Sequence, residues 1–482
     1  MFPTMTGLVA ASSMGLSLLT PLSVAPEWCP TIPGHTIACG TVERPLLSGR
    51  PEFGTTPVGY ALVRRSRHAQ PSAGTVMVNP GGPGQSTIGM TATFTTVLAS
   101  LISDHDLLLI DTRGTGRSGP ITCGTGQPFG RASAEAVAAC AADLGPKAAA
   151  YTSTAIADDF EAVRTALGVK KVSLYGLSYG TYLMSIYAQR YPDAVRSIVL
   201  SGGIPLANDP LWRDSAQAGS DNLRMVCARS RACDGDSAVR DLTTTAKRLR
   251  AKPLTLTADG RSMAFGEPEL SILANSGASS MVGAQPQVVP ILGKLPKALH
   301  ASARGDYTLL KQLAAALLVQ PDGDAALHIA VTCNDYRRPW SVEASPAERE
   351  RQFERAFRSA RGQFGAFSPL GYGASTMTAA CLKWPTHRPY TSTGHFPDVP
   401  VLGIAADLDA TTSVHATRQA TGQYRGAAFL KVPNMGHVAE YDPSGCVAGI
   451  TSGFIRHGKL GDTTCLAAIP SVKVEPVTGS KR

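Results

Sequence analysis

Short apolar runs recur along the chain, each closed by Gly, Pro or Asp, and helical spacing of apolar residues fills the stretches between them. Runs that do not alternate in and out belong to strands covered on both faces. The pattern therefore predicts an α/β fold, a mostly parallel sheet with helices on either side. Six stretches read as such strands: GTVMVNPGG (74–82), DLLLIDTRG (106–114), VSLYGLS (172–178), RSIVLSGG (196–203), VPVLGIAADLD (399–409) and AAFLKVPNMGH (427–437). Ile156, Phe160, Val163 and Leu167 keep a helical period over 155–168. The stretch SYGTYLMSIYAQRYP (178–192) predicts a buried helix that Pro192 ends.

From about Pro205 to Pro385 the alternation stops. AVRDLTTTAKRLRA, DYTLLKQLAAALLVQ and SPAERERQFERAFRSARG are helical patterns, so this part reads as a helical lid inserted between the fourth and fifth strands. The predicted organisation is a leader over 1–25, a core over 26–204, the lid over 205–385, the rest of the core over 386–468, and a flexible tail over 469–482. No internal repeat is visible.

Composition refines this picture. With 482 residues, 43% hydrophobic and 17% charged, the chain is long enough for a large core and a second lobe. Its net charge of +9 is dispersed, and the densest basic cluster, VRRSRH (63–68), reads as a strand end and loop. Nucleic acid is therefore not an expected partner. The first 26 residues carry no charge and are apolar and small, ending in Ser23-Val24-Ala25. This resembles a secretory signal cleaved after Ala25, although the basic n-region is missing. Pro21 and the many Ser, Gly and Thr residues argue against a membrane anchor, so no stable membrane insertion is expected. The leader holds no lipobox-like Cys, which favours a free secreted protein.

Ten cysteines agree with export: Cys29, Cys39, Cys123, Cys140, Cys227, Cys233, Cys333, Cys381, Cys446 and Cys465. None forms C-x-x-C or a zinc-like array, so no metal is expected. Pairing in sequence order is the simplest connectivity, and each bridge would stabilise by about 2–4 kcal/mol.

The chemistry centres on Gly176-Leu177-Ser178-Tyr179-Gly180. Ser178 stands where a strand ends and a helix begins, the setting of a nucleophile elbow. The helix N-terminus beyond it favours an oxyanion. A serine needs a base, and His437 lies in a Gly-His turn after the last strand. The base needs a carboxylate, and Asp409 ends the preceding strand, 28 residues before the histidine. The order Ser178, Asp409, His437 is that of α/β-hydrolases. Asp407 is the competing acid, two residues earlier on the same strand. For the oxyanion, one donor is the N–H of Tyr179; the other is expected from NPGGPGQS (79–86), at Gly82 or, second, Gly81.

NPGGPG, DTRGTGRSGP, YGLSYGTYL, ADLDATT and MGH together resemble the exported tripeptidyl aminopeptidase branch of the proline iminopeptidase-like α/β-hydrolases of actinobacteria. The resemblance runs from about Cys29 to Cys465. It implies a triad of Ser178, Asp409 and His437, local cysteine pairs, a lid over the substrate pocket and no cofactor. The implied activity is that of a secreted serine exopeptidase releasing short peptides from free N-termini. The chain departs from the family at Ser201, where Asp is common, at Ala406, and at Ala410, Thr412 and Ser413 after the acid. An aminopeptidase also needs groups to hold the substrate ammonium. Glu267, Glu269 and Asp335 are the candidates. Two alternatives stay open: a deacylase, amidase or esterase on an acylated small metabolite, and a non-catalytic binding protein on a hydrolase scaffold. The expected partner is the substrate, peptide or acylated small molecule, acted on by a monomer.

Overall fold

A computed structural model describes residues 25–67, 70–123, 133–258, 261–318, 326–385 and 389–477. Most of the expected leader, His68 of the basic cluster and the last five residues of the chain lie outside the described residues. All six expected strands are present: β3 (Gly74–Asn79), β4 (His105–Ile110), β5 (Val172–Leu177), β6 (Val195–Ser201), β9 (Val401–Ala406) and β10 (Ala428–Val432). They run parallel to one another, and β3, β4, β5 and β9 are buried almost throughout because helices cover both faces. Val76, Met77, Val78, Leu107, Leu108 and Leu109 are fully enclosed.

Two further strands extend this sheet, β1 (Ile37–Pro45) and β2 (Thr55–Val63), both antiparallel, giving the order β1-β2-β4-β3-β5-β6-β9-β10. The apolar pattern did not announce them. β1 is a part-exposed edge strand, and β2 contains Pro57, which normally argues against a strand interior. Val63 of the basic cluster ends β2.

The predicted helices occur over Ser153–Ala166 and Tyr179–Arg190. The first is capped by the Thr152 hydroxyl, which accepts the Ala155 N–H at 3.2 Å. The second is buried around nearly its whole circumference. Between β6 and β9 the chain is largely helical, with one hairpin, β7 (Leu254–Ala258) and β8 (Arg261–Phe265), that the sequence pattern did not reveal. This insert is tied to the turns that follow β9 and β10. Asn222 donates to the Leu408 carbonyl at 2.7 Å, Arg229 pairs with Asp407, and the Ser279 carbonyl accepts the His437 N–H at 3.0 Å.

The cysteines pair in sequence order: 29–39, 123–140, 227–233, 333–381 and 446–465. The third and fourth pairs lie in the insert. Among the described residues no helix is long and apolar enough to cross a membrane. The segment expected as a flexible tail lies against the insert as far as residue 477. Val472 and Val474 pack on the core, and Glu475 and Val477 donate their N–H groups to the Gly293 and Ala232 carbonyls. Two valines among polar neighbours are apolar contacts that no periodicity marks.

One buried ion pair holds the motif after β4 to the first helix. Arg113 gives two hydrogen bonds to Asp159, at 2.6 and 2.7 Å, and further ones to the Leu46 and Ala150 carbonyls. Both side chains are almost fully enclosed. Asp159→Ala leaves that guanidinium buried without its counter-ion. We expect a loss of about 3–5 kcal/mol of unfolding free energy, read from the urea midpoint. A loss below about 1 kcal/mol, the worth of a surface pair, would show that the pair is not needed.

Candidate active site

β5 delivers Ser178 to the carboxyl edge of the sheet in a conformation that few residues adopt, with φ at 54°. The strain is supported from all sides. Ser178 N–H donates to the Ser201 carbonyl at 2.9 Å, and its own carbonyl accepts from the N–H and hydroxyl of Thr181 at 2.9 and 2.6 Å. The flanking glycines are required by contact. A Cβ on Gly176 would overlap the Gly180 carbonyl, and one on Gly180 would overlap the Asn79 carbonyl. β5, β3 and the helix from Tyr179 can approach this closely only without those carbons.

Asp409 and His437 meet at the neighbouring edge. The Asp409 Oδ2 lies 2.7 Å from His437 Nδ1. Thr412 Oγ1 donates to the same oxygen at 2.6 Å and lies 3.1 Å from the ring nitrogen. The other oxygen, Oδ1, accepts the N–H groups of Thr411 and Thr412 at 2.8 and 2.9 Å. Burial works to raise the Asp409 carboxyl, but the imidazole and these hydrogen bonds outweigh it and hold the group below its usual value. For His437, burial works downward, and the Asp409 carboxylate reverses it, so the imidazole stands above its ordinary value. Asp407, the competing acid, faces away. It pairs with Arg229 and accepts the Asn434 N–H at 2.8 Å.

Gly202 joins the two halves of the site. It follows Ser201, which holds Ser178, and a Cβ on it would come within 3.2 Å of the His437 ring. Ser201 also has a second use. Its hydroxyl donates at 2.7 Å to Glu440, a buried carboxylate three residues beyond the histidine. Burial raises the Glu440 carboxyl. An aspartate at 201 would set a second carboxylate against it, so serine suits this chain.

The Gly81–Pro83 loop lies over the elbow. A Cβ on Gly81 would touch Ser178 Cβ at 2.9 Å and Tyr179 N at 3.0 Å. The Gly81 N–H is already bound to Asn79 Oδ1 at 3.0 Å, whereas Gly82 lines the pocket beside Ser178. Two residues outside the expected set brace this loop. Asp111, after β4, accepts from Ser86 Oγ at 2.9 Å, Ile88 N–H at 3.0 Å and Arg117 N–H at 2.8 Å. His328, from the insert helix Ala326–Asp335, lines the pocket with Gly82 and Pro83; burial pulls its imidazole below the ordinary value, and the backbone of those two residues opposes this only in part. The aspartate stood within a quoted motif, DTRGTGRSGP. The histidine lay in a helix with no distinguishing pattern.

Ser178 opens into a cavity of about 260 Å³. Its wall includes Trp212, Tyr336, Tyr372 and Met377, with His328 and Thr332 one helical turn apart. The described lining residues carry no Asp, Glu, Lys or Arg. The three acids considered for an ammonium are engaged elsewhere. Glu267 accepts from Ser368 N–H and Oγ, each at 2.7 Å, and pairs with Arg250. Glu269 caps its own helix by accepting the Gly266 N–H at 2.8 Å. Asp335, pushed by burial up to about 7, accepts from Ser153 N–H and Oγ at 2.6 Å.

Two parts of the chain match known families. Residues 74–261 match the family model of the alpha/beta hydrolase fold, and residues 368–465 match that of the TAP-like protein. Tripeptidyl aminopeptidase of Streptomyces coelicolor is 24% identical over 82% of this chain and 76% of its own length. Serine protease Hip1 of Mycobacterium tuberculosis is 24% identical over 91% of this chain and 89% of its own. Carboxylesterase B of Mycobacterium tuberculosis is 27% identical over 90% and 87%. With the eight-stranded sheet and these two matches, the chain is an enzyme of the alpha/beta hydrolase fold whose C-terminal part is TAP-like.

Proposed function

We propose that this chain is an exported serine hydrolase working through Ser178, His437 and Asp409, and that it removes short peptides, tripeptides in particular, from free N-termini. The observation that carries the chemistry is the 2.7 Å contact of Asp409 with His437, beside the pocket that Ser178 lines. His437 takes the Ser178 proton as the hydroxyl oxygen attacks the substrate carbonyl. The N–H groups of Tyr179 and Gly82 hold the tetrahedral oxyanion; that of Gly81 is spent on Asn79. The proton then passes from His437 to the leaving amine, and the acyl group stays on Ser178. Water, deprotonated by the same imidazole, releases it. Asp409 fixes the imidazole tautomer and stabilises its charged form. The peptide substrate is supported by the names of the relatives, and export by the disulfides, which persist in oxidising compartments. The helical insert, with its aromatic wall, serves as the lid that shapes the acyl pocket.

A second reading, hydrolysis of an acylated small molecule or ester, is favoured by one observation. The described residues lining the pocket include no Asp, Glu, Lys or Arg, and Glu267, Glu269 and Asp335 are bound to other partners. A buried ammonium needs such a partner. Ala-Pro-Ala p-nitroanilide and its N-acetylated form, with Ser178→Ala as the blank, separate the readings. Cleavage of the free-amine form alone is expected of the exopeptidase. Cleavage of the blocked form alone, or of neither, would overturn the exopeptidase and turn the reading to a deacylase or esterase, to be tried on acylated small molecules.

Asp409→Asn should cut kcat by about 10^4-fold, the cost of a misdirected imidazole. It also removes the charge that raises His437. The acidic limb of the kcat/KM profile, set above the ordinary histidine value in the parent, should move to lower pH. An unmoved limb would mean that another group titrates. Thr412→Val deletes one hydrogen bond to the carboxylate; a loss of about 10- to 100-fold in kcat/KM is expected, with Thr412→Ser close to the parent.

A further inference from the structure

Asp335 ends a hydrogen-bonded chain that starts one residue after Ser178. Its Oδ2 accepts the Ser153 hydroxyl at 2.6 Å, and Ser153 Oγ lies 2.7 Å from the Tyr179 phenol oxygen. A serine has one hydroxyl proton, and here it is given to the carboxylate, so Tyr179 is the donor to Ser153. The direction of the chain is Tyr179 to Ser153 to Asp335. The Ser153 N–H, at the start of the helix Ser153–Ala166, donates to the same Oδ2 at 2.6 Å. The positive end of that helix suits a carboxylate. All three side chains are buried.

The same end of the insert helix meets the elbow a second time. Tyr182, three residues along from Tyr179, donates its O–H to the Asp335 carbonyl at 3.1 Å. Its ring stands edge-on to that of Tyr336, with centroids 5.1 Å apart. Asn334 fixes this helix end to the core. Its Nδ2 donates to the Ala148 and Tyr151 carbonyls, each at 2.9 Å, and its Oδ1 accepts the Trp384 indole N–H at 2.7 Å. Cys333, beside it, is bonded to Cys381. Two turns back along the helix, His328 lines the Ser178 pocket with Gly82 and Pro83. One helix of the insert therefore reaches both residues read as oxyanion donors, Gly82 near its start and Tyr179 at its end.

An enclosed carboxylate costs more than an apolar contact that would hold the same helices together. What the chain of hydrogen bonds adds to packing is direction. Tyr179 follows a serine whose φ is 54°, so its N–H is presented by a strained turn. An oxyanion donor works only when it is aimed beforehand at the place where the charge develops. The phenol, held at the far end of a rigid ring, fixes the residue that carries this N–H.

We propose that Asp335 is a positioning residue for hydrolysis: through the Ser153 hydroxyl it holds Tyr179 so that the Tyr179 N–H meets the oxyanion formed at Ser178. The proposal rests on the reading of Ser178 as the nucleophile and adds to it a residue of the insert.

Steady-state hydrolysis of p-nitrophenyl acetate by the full, disulfide-bonded chain tests this, because peptide and ester substrates pass through the same oxyanion. Ser153→Ala and Tyr179→Phe should each lower kcat by about tenfold, with KM within about twofold of the parent. The double variant should fall no further than either single one, since both cut the same chain. Asp335→Asn keeps an oxygen that accepts from Ser153 and should lose less than Asp335→Ala. Near-UV circular dichroism and the urea midpoint show which variants are folded. If Asp335→Ala does not fold, the other three variants and the double one carry the comparison. Folded variants of lower stability but parental kcat would reduce the chain to a structural tie and overturn the proposal. Losses that add in the double variant would overturn it too. Parent turnover that survives Ser178→Ala would remove the nucleophile reading and the proposal together, whereas turnover that needs Ser178 but is unmoved by Ser153→Ala and Tyr179→Phe would remove the positioning role alone.

Discussion

A carboxylate taken out of water must be satisfied or give up its charge, and Asp409 is satisfied at four points. Two backbone N–H groups hold one oxygen; a threonine hydroxyl and the His437 ring share the other. Much of the surrounding structure serves that arrangement. β9 ends where it must for the Asp409 turn to form, and the turn supplies both N–H groups from the next three residues. The insert pins the turn from outside through Asn222 and pins the histidine loop through Ser279. The sheet core alone does not build the site; the helical segment fastens the turns that carry both Asp409 and His437.

The same logic separates the two aspartates on one strand end. Asp407 and Asp409 are two residues apart, and alternation alone does not choose between them. Each is bound, but by different partners. Asp407 has the Arg229 cation from the insert and the Asn434 N–H from the turn after β10; Asp409 has the imidazole. Ser201 illustrates the reverse case, in which one substitution reads as a loss until its partner is seen. Ser201 supports Ser178 through its backbone carbonyl and gives one hydrogen bond to Glu440 Oε2 through its hydroxyl.

What the sequence made legible follows from where information is local. The six parallel strands are apolar runs closed by turn residues, so they could be read directly. The serine elbow, the acid turn and the histidine turn each carry glycine or aspartate at a strand end, so their places in the fold were also readable. The edge strand β1, the Pro57-containing β2 and the β7–β8 hairpin lack that pattern. Only β2 gains a distant partner, β4; β1 pairs with β2, and β7 with β8, its neighbour in the chain, so cross-strand pairing and not an apolar run makes them strands. His328 and Asp111 brace the loop above Ser178 through contacts more than 20 residues away in sequence, which no local motif encodes. Val472 and Val474 turn an apparently loose tail into a packed one for the same reason.

The claim on which the rest hangs is that Ser178 is the activated nucleophile of this site. Labelling with a fluorophosphonate, followed by peptide mass spectrometry, tests it most directly. We expect a single adduct on the peptide containing Ser178, lost when His437 is replaced by alanine in a folded protein. An adduct elsewhere, no adduct, or labelling that survives loss of His437 would contradict it.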